Sequence, residues 1–437
     1  MLKTLRNALK IKDIRTKLIY TFFMLVVVRI GCAIPVPGVN SAMIKAFFQN
    51  QIGDAFSFFD AITGGSFTNM SIFALSITPY ITSSIIIQLL TIAIPKLEEM
   101  QKDGEDGRKK LAEYTRYVTV ALALIESTAM AIGFGTQGIL TSFHVGSVAL
   151  VVVTLTAGSA FLMWMGERIT EKGVGNGISM ILLFNIVARI PSDFVTLYER
   201  FMKGKSVAVA GLAVLIIAAV IIGVIAFVVM LQGGERRIAV QYAKKTQGRK
   251  MVGGQSSHIP LKVNTAGVMP IIFAGSLFSM PVVISRFFSI NADSVGGKII
   301  NTLNQSNWCD PSQPWYSIGL LIYIVLVVFF AYFYTSITFN PIEVANNIKK
   351  QGGFVPGIRP GKPTADYLTK ILNYVIFIGA AGLLFVAIVP IIVSGVFKAN
   401  VSFGGTSLII IVGVILETLK QIESQMLVRY YKGFLND

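Results

Sequence analysis

An all-α polytopic membrane protein is the fold class this sequence predicts, and three observations predict it. Hydrophobic residues make up 54% of the chain and charged residues 14%, against roughly 25% charged in a typical soluble domain. Ten apolar runs can cross a bilayer as helices, at 18–35, 71–94, 117–135, 147–165, 176–191, 207–231, 264–284, 315–339, 371–393 and 404–419. The lysines and arginines between these runs alternate in density. With the N-terminus inside, 29 of the 38 fall on the cytoplasmic side, 8 fall outside and Arg29 lies within the first run. By the positive-inside bias, both termini are then cytoplasmic. The net charge of +16 gathers on that face, where it can meet anionic lipid or an acidic partner such as RNA.

Taken in order, residues 1–17 are basic, with Leu2, Leu5 and Leu9 at helical spacing against Lys3, Arg6 and Lys10, the pattern of a helix lying on the inner surface. No A-x-A site follows the first apolar run, which reads as an uncleaved span ended by the two prolines of IPVPGV. The second run, 71–94, is unusual for a membrane anchor because it carries Thr78, Pro79, Thr82, Ser83, Ser84 and Gln88. Proline lacks an N–H and its ring crowds the carbonyl four residues back, so a kink or break is expected about a third of the way through. Polar, interrupted helices persist in membranes where they face protein or a water-filled cavity. The preceding FSFFDAITGGSFTN, broken by Gly64 and Gly65, reads as a short re-entrant or interfacial piece. Residues 95–117, with balanced charge, read as a solvated hairpin, and Glu126 is a lone carboxylate inside the third run.

The second half is built comparably. Its second run again holds small residues, a central Pro270 and a closing Pro281, so the interrupted helix is the second of each five-helix half. That spacing is expected of inverted repeats whose site lies at the midplane between halves. Two long loops, 232–263 and 340–370, belong to the basic face, and the second frames Arg359 rigidly in VPGIRPG. The chain divides accordingly into an amphipathic N-terminus at 1–17, a first half at 18–191, a second half at 207–419 and a C-terminal tail at 420–437.

Chemistry-bearing motifs are scarce. Cys32 and Cys309 cannot build a disulfide scaffold, and His144 and His258 add too little for a metal site. GFGTQG at 133–138 matches a dinucleotide fingerprint literally, but it closes a membrane helix and no acidic residue stands about 20 residues on. GERITEKGVGNGISM lacks a Walker lysine and threonine and reads as a tight glycine-rich turn. No nucleotide site, paired nucleophile and base, or cofactor site is visible, and an enzyme is not expected.

Seven blocks in order resemble the SecY family of protein-conducting channels: RIGCAIPVPG at 29–38, SIFALSITPYITSSIIIQLL at 71–90, GNGIS at 175–179, QGGERRIAVQYAKKTQGR at 232–249, HIPLKVNTAGVMP at 258–270, FVPGIRPG at 354–361 and FGGTSL at 403–408. The resemblance implies a ten-helix clamshell in the plasma membrane around an hourglass-shaped central pore. It implies a pore ring of Ile81, Ile85, Leu182, Ile186, Ile272 and Ile410, with Leu182 where the family often has isoleucine. The plug it implies spans about 59–73 and includes Phe59, Gly64, Gly65, Ser66, Phe67, Asn69 and Phe73. A lateral gate between the second and seventh helices would involve Thr78, Pro79, Gln88, Asn264 and Pro270, releasing membrane segments into lipid. Docking of a SecA ATPase or the ribosome would fall to Arg236, Arg237, Lys244, Lys245, Arg249, Lys250 and Arg359. Implied partners are SecE-like and SecG-like small subunits, signal peptides and unfolded polypeptides. The rival reading is a secondary transporter of a small solute, which shares ten spans, inverted halves and broken helices. Such a site calls for polar or charged coordination at mid-depth, whereas the mid-depth positions named above are aliphatic.

The charge count makes a topological prediction. With Cys32 and Cys309 replaced, single cysteines placed at 236–250 or 343–370 resist an impermeant maleimide on intact cells, while cysteines at 291–313 react. Labelling of the 236–250 loop from outside overturns this topology.

Overall fold

The computed structural model describes residues 8–40, 43–44, 60, 62–203, 206–242, 245–247, 250–252, 256–287, 294–309, 313–397 and 405–433. Among the described residues the α-helices of eight residues or more are, in order, α1 (Lys12–Ala33), α2 (Thr78–Ala93), α3 (Pro95–Lys102), α4 (Glu105–Thr136), α5 (Val145–Lys172), α6 (Gly177–Phe201), α7 (Val207–Gly233), α8 (Met269–Phe287), α9 (Val295–Leu303), α10 (Ile318–Thr338), α11 (Pro341–Lys350), α12 (Lys362–Phe397) and α13 (Gly405–Gly433). Helices α3, α9 and α11 are short, and the other ten occupy the ten apolar runs. Seven helical segments are long and apolar enough alone to cross a membrane, and α2 with α3 makes an eighth, bent by 103°.

The interrupted runs are broken rather than kinked, and for a specific reason. Pro79 stands in the first turn of α2 and Pro270 in the first turn of α8. There a missing N–H removes no helical hydrogen bond. Upstream of α2 the chain forms successive turns over 64–77, with Met70 (φ 46°) and Ser76 (φ 52°) both left-handed. Upstream of α8, residues 263–268 are likewise turns. Helix α5 supports the first of these irregular segments. Ser159 Oγ donates to the Ser76 carbonyl at 3.2 Å, and Gly158 lets the Ile72 carbonyl approach so closely that a Cβ there would lie 1.9 Å from its oxygen.

Four expectations need correction. Pro191 and Pro281, read as closing their spans, lie inside α6 and α8. The fifth span is therefore not short, because α6 continues ten residues beyond Pro191. Of the expected 1–17 helix, residues 1–7 lie outside the described ones and residues 8–10 are helical; the chain bends at Ile11, and residues 12–17 belong instead to α1. Helix α13 continues through the expected tail to Gly433.

The two basic loops share one sheet. Strand β1 (Glu235–Tyr242) leads into a hairpin of β2 (Lys245–Gln247) and β3 (Lys250–Val252), then β4 (Ser256–Lys262) returns beside β1. Antiparallel pairing sets Glu235 opposite Lys262 and Gln241 opposite Ser256. On the other edge of β1, β5 (Gly353–Phe354) comes from the second loop, with Gln241 opposite Phe354. Ile238 and Val240 point from β1 into a core with Leu261, Ile348, Val355 and Leu368, the two-residue periodicity of a half-buried strand. This core seats the sheet on α11 and α12.

Helices α1 to α6 pack chiefly on one another, as do α7 to α13, and the groups meet where α6 touches α13 and where α8 touches α4 and, lightly, α2. One apolar cluster spans that seam, from Met24 and Phe73 to Leu383 and Ile410. Because Gly158 sits where the irregular segment crosses α5, Gly158→Ala forces a close carbonyl aside and costs about 1–3 kcal/mol. Its melting temperature in detergent falls measurably. Gly211→Ala, where a Cβ meets nothing within 4 Å, leaves it unchanged.

Candidate functional site

Helix α6 orders the site by depth. Asn176 caps it, its Oδ1 accepting from Ile178 N at 3.1 Å and Ser179 N at 3.3 Å, which fixes the first turn against the glycine-rich bend. Leu182 and Ile186 follow one turn apart on one stripe, and Asn185, Arg189 and Asp193 share a second stripe at four-residue spacing. From Leu182 to Arg189 the helix rises about 10 Å.

Above the first stripe opens a cavity of about 940 Å³ lined by residues of α2, α4, α5, α6, α8 and α13. Its walls carry Glu167, Glu171 and Glu417 together with Arg116, Arg168, Lys262 and Lys420, so neither sign dominates. Arg116 Nε donates to Glu167 at 2.8 Å, joining α4 to α5 at the wall. At the base of this vestibule stand Ile81, Leu182, Ile272 and Ile410. These four and Ile186 are buried, between 3% and 8% exposed, and Ile85 packs against them one turn along α2. The structure thus brings all six residues of the expected ring into one apolar cluster contributed by four helices. They are aliphatic and carry no donor or acceptor in their side chains.

Next to this cluster, residues 62–71 fold compactly, with 62–63 helical and 64–70 in turns. Gly65 N donates to the Asp60 carbonyl, Asn69 N to the Gly65 carbonyl and Ser71 N to the Ser66 carbonyl, at 3.0–3.2 Å. Gly64 (φ 66°) and Gly65 (φ 83°) use a backbone conformation that glycine tolerates best. Gly64 also lies against the backbone of Asn185, where a Cβ would come within 2.9 Å. Ser66, Phe67 and Phe73 are buried and Asn69 is exposed, while Phe59 lies outside the described residues. Several polar groups hold these turns. Arg29 Nη1 donates to the Gly64 carbonyl at 2.9 Å, and Asn185 Nδ2 reaches both the Ile62 carbonyl at 3.3 Å and Ser76 Oγ at 3.4 Å. Arg189 pairs with Asp60.

Sequence reasoning missed Asn185, Arg189 and Asp193, because ending the fifth span at Pro191 put the last two at or beyond its edge. Their spacing of four was the available signal.

The residues expected at a lateral gate lie on two facing elements. Thr78 and Pro79 begin α2 and half-buried Gln88 lies further along it, while buried Asn264 and Pro270 flank the start of α8. Gln88 and Asn264 both line the vestibule. Gln88 Oε1, Asn264 Nδ2 and Gln232 Nε2 are buried and make no hydrogen bond. On its other side, α2 is fastened to α4: Ser83 Oγ lies 2.8 Å from both the Thr115 carbonyl and Thr119 Oγ1.

Of the expected docking residues, Arg236 and Arg359 are exposed, and Arg237 is paired with Glu235 at 2.6 Å. Arg359 sits between Gly357 (φ 80°) and Gly361 (φ 100°), and its carbonyl accepts from Thr364 Oγ1 at 2.8 Å. Lys245 and Lys250 begin β2 and β3, while Lys244 and Arg249 lie outside the described residues.

Comparison with known proteins follows this geometry. Residues 71–419 match the family model SecY. The protein translocase subunit SecY of Halalkalibacterium halodurans is 44% identical over 442 residues, covering all of both chains. Among solved structures, a SecY described as having a plug domain that stabilises the closed state of the translocation channel and maintains a membrane seal superposes with TM-score 0.61. It is 19% identical, covering 95% of this chain and 93% of that one. Sec61 in the canine ribosome–channel complex from the endoplasmic reticulum gives 0.60 at 20% identity, with the same two coverages. On the match to the family model and the full-length identity to that subunit, the chain belongs to the SecY family.

Proposed function

We infer that this chain is the central subunit of a protein-conducting channel that passes unfolded secretory polypeptides across the plasma membrane. The observation that carries the reading is the stacking of three layers: a charge-balanced vestibule, an aliphatic constriction and a compact turn segment packed against it. A vestibule of mixed sign admits chains of any composition. A ring of branched side chains seals by dewetting and yields around a passing chain without binding it tightly. The 59–73 segment is the plug, α2 and α8 form the lateral gate, and the halves at 18–191 and 207–419 open about the seam. Both termini are cytoplasmic, as the charge bias requires. The light contact between α2 and α8 supports a gate there, since α2 is instead bonded to α4.

The pore is passive, with energy supplied by a SecA ATPase or the ribosome at the exposed Arg359 and the basic loop of Arg236, Arg237, Lys244, Lys245, Arg249 and Lys250. SecE-like and SecG-like subunits complete the membrane assembly. A small-solute transporter is disfavoured because the six residues of the expected ring carry no coordinating atoms in their side chains.

Two tests address this reading. Withdrawing an isoleucine from water contributes about 1.5–3 kcal/mol, so one amide in the ring loosens it. Ile85→Asn and Ile410→Asn conduct ions in planar bilayers and export a reporter with a defective signal sequence more readily than wild type. Variants as tight and as strict as wild type place the pore elsewhere. Separately, Arg359→Glu accumulates normally in the membrane, since surface changes are usually within about 0.5 kcal/mol of neutral. It nevertheless fails to export into reconstituted vesicles; wild-type export at limiting SecA or ribosome removes the docking role.

A further inference from the structure

We propose that Asp60 and Arg189 form a charged latch that sets how strong a signal sequence must be to open this channel. The proposal rests on the reading of residues 59–73 as the plug. Asp60 is 2% exposed; its Oδ1 accepts from Thr68 N at 3.2 Å and Thr68 Oγ1 at 2.8 Å, while Oδ2, which accepts no hydrogen bond among the described residues, is in ion-pair contact with the Arg189 guanidinium. Arg189 projects from the same helix that carries Leu182 and Ile186, about one turn beyond the constriction. The latch therefore ties the plug to a wall of the pore.

The geometry also explains how such a latch can release. A buried charge stranded by the loss of its partner is strongly unfavourable. Here each charge keeps a companion after separation. Arg189 Nε lies 3.8 Å from Asp193 one turn along α6, and Asp193 is itself buried. Asp60 carries its two Thr68 bonds with it, because Thr68 belongs to the same folded turn. The Arg189 side chain is 24% exposed, so the pair stands at the edge of the buried region, and it weakens as more water enters, since the attraction between unit charges varies inversely with the dielectric constant. An arriving signal sequence that parts the ring and admits water thereby loosens the plug. The contacts that are not charge pairs, Arg29 to the Gly64 carbonyl and Asn185 to the Ile62 carbonyl, respond less steeply because at least one partner in each is neutral.

The test uses the full chain in cells and in reconstituted vesicles, with export of a reporter bearing a defective signal sequence and ion conductance as readouts. Asp60→Asn and Arg189→Gln each raise export of that reporter on the order of tenfold and make the membrane leak ions. The double variant is no looser than the looser single one, because both remove the same interaction. It leaves no stranded charge in the pair, so it reports even where a single variant accumulates poorly. Arg189→Lys, which keeps the charge, stays nearer wild type. Single effects that multiply in the double variant, or variants as strict and ion-tight as wild type while deletion of residues 60–70 leaks, overturn the latch. If the deletion itself leaves the membrane tight, the plug reading falls and the latch with it.

Discussion

In hydrocarbon a backbone amide or carbonyl has no partner but another part of the protein, and that constraint organises this chain. Where helix is abandoned within the apolar runs, a neighbouring element supplies the missing bond or closes over the gap. Before α2, the turns over 64–77 bond among themselves, to Ser159 and Asn185, and to the Ile34 carbonyl through Ile72 N at 3.0 Å. Before α8, Val263 N donates to the Gly234 carbonyl at 2.9 Å, and the missing side chain of Gly379 lets α12 approach the Val263 carbonyl. Each irregular segment is thereby held within its own group of helices, the first by α5 and the second by α12.

The seam between the two groups of helices assigns different chemistry to different depths. Aliphatic side chains can part and re-form without leaving an unsatisfied group, so they suit a constriction that must open often. Charged pairs cannot be parted dry without large cost, which suits a barrier that distinguishes one stimulus from another. Helix α6 carries both, the aliphatic stripe and the polar stripe rotated about it by one residue in four.

Much of this was legible in the residues. The ten helices were readable because a bilayer demands long apolar runs, and Pro79 and Pro270 marked the interruptions correctly while leaving their nature open. A proline disrupts a helix only when an N–H is needed; at the first turn it is not, and neighbouring residues do not reveal which case holds. Pro191 shows the converse error, since it lies inside α6 and hid Arg189 and Asp193 from view. The ring depended on resemblance, because isoleucines in membrane spans are ordinarily lipid or helix contacts. The sheet was missed because its positive charge suggested solvated loops, although ERRIAVQY alternates as a half-buried strand does. Arg29 and Asn185 could not be assigned from spacing at all, as their partners lie 35 and 123 residues away.

That sheet has a mechanical consequence. Strand β4 ends at Lys262 and α8 begins at Met269, while β5 lies eight residues before α12. The loop of Arg359 is hydrogen-bonded through β5 to β1, and β1 in turn to β4, which leads by the turns at 263–268 to α8. Through the β5–β1–β4 hydrogen bonds, the loop that carries Arg359 and the segment that leads into α8 belong to one braced unit, so the two protruding loops are not independent tethers.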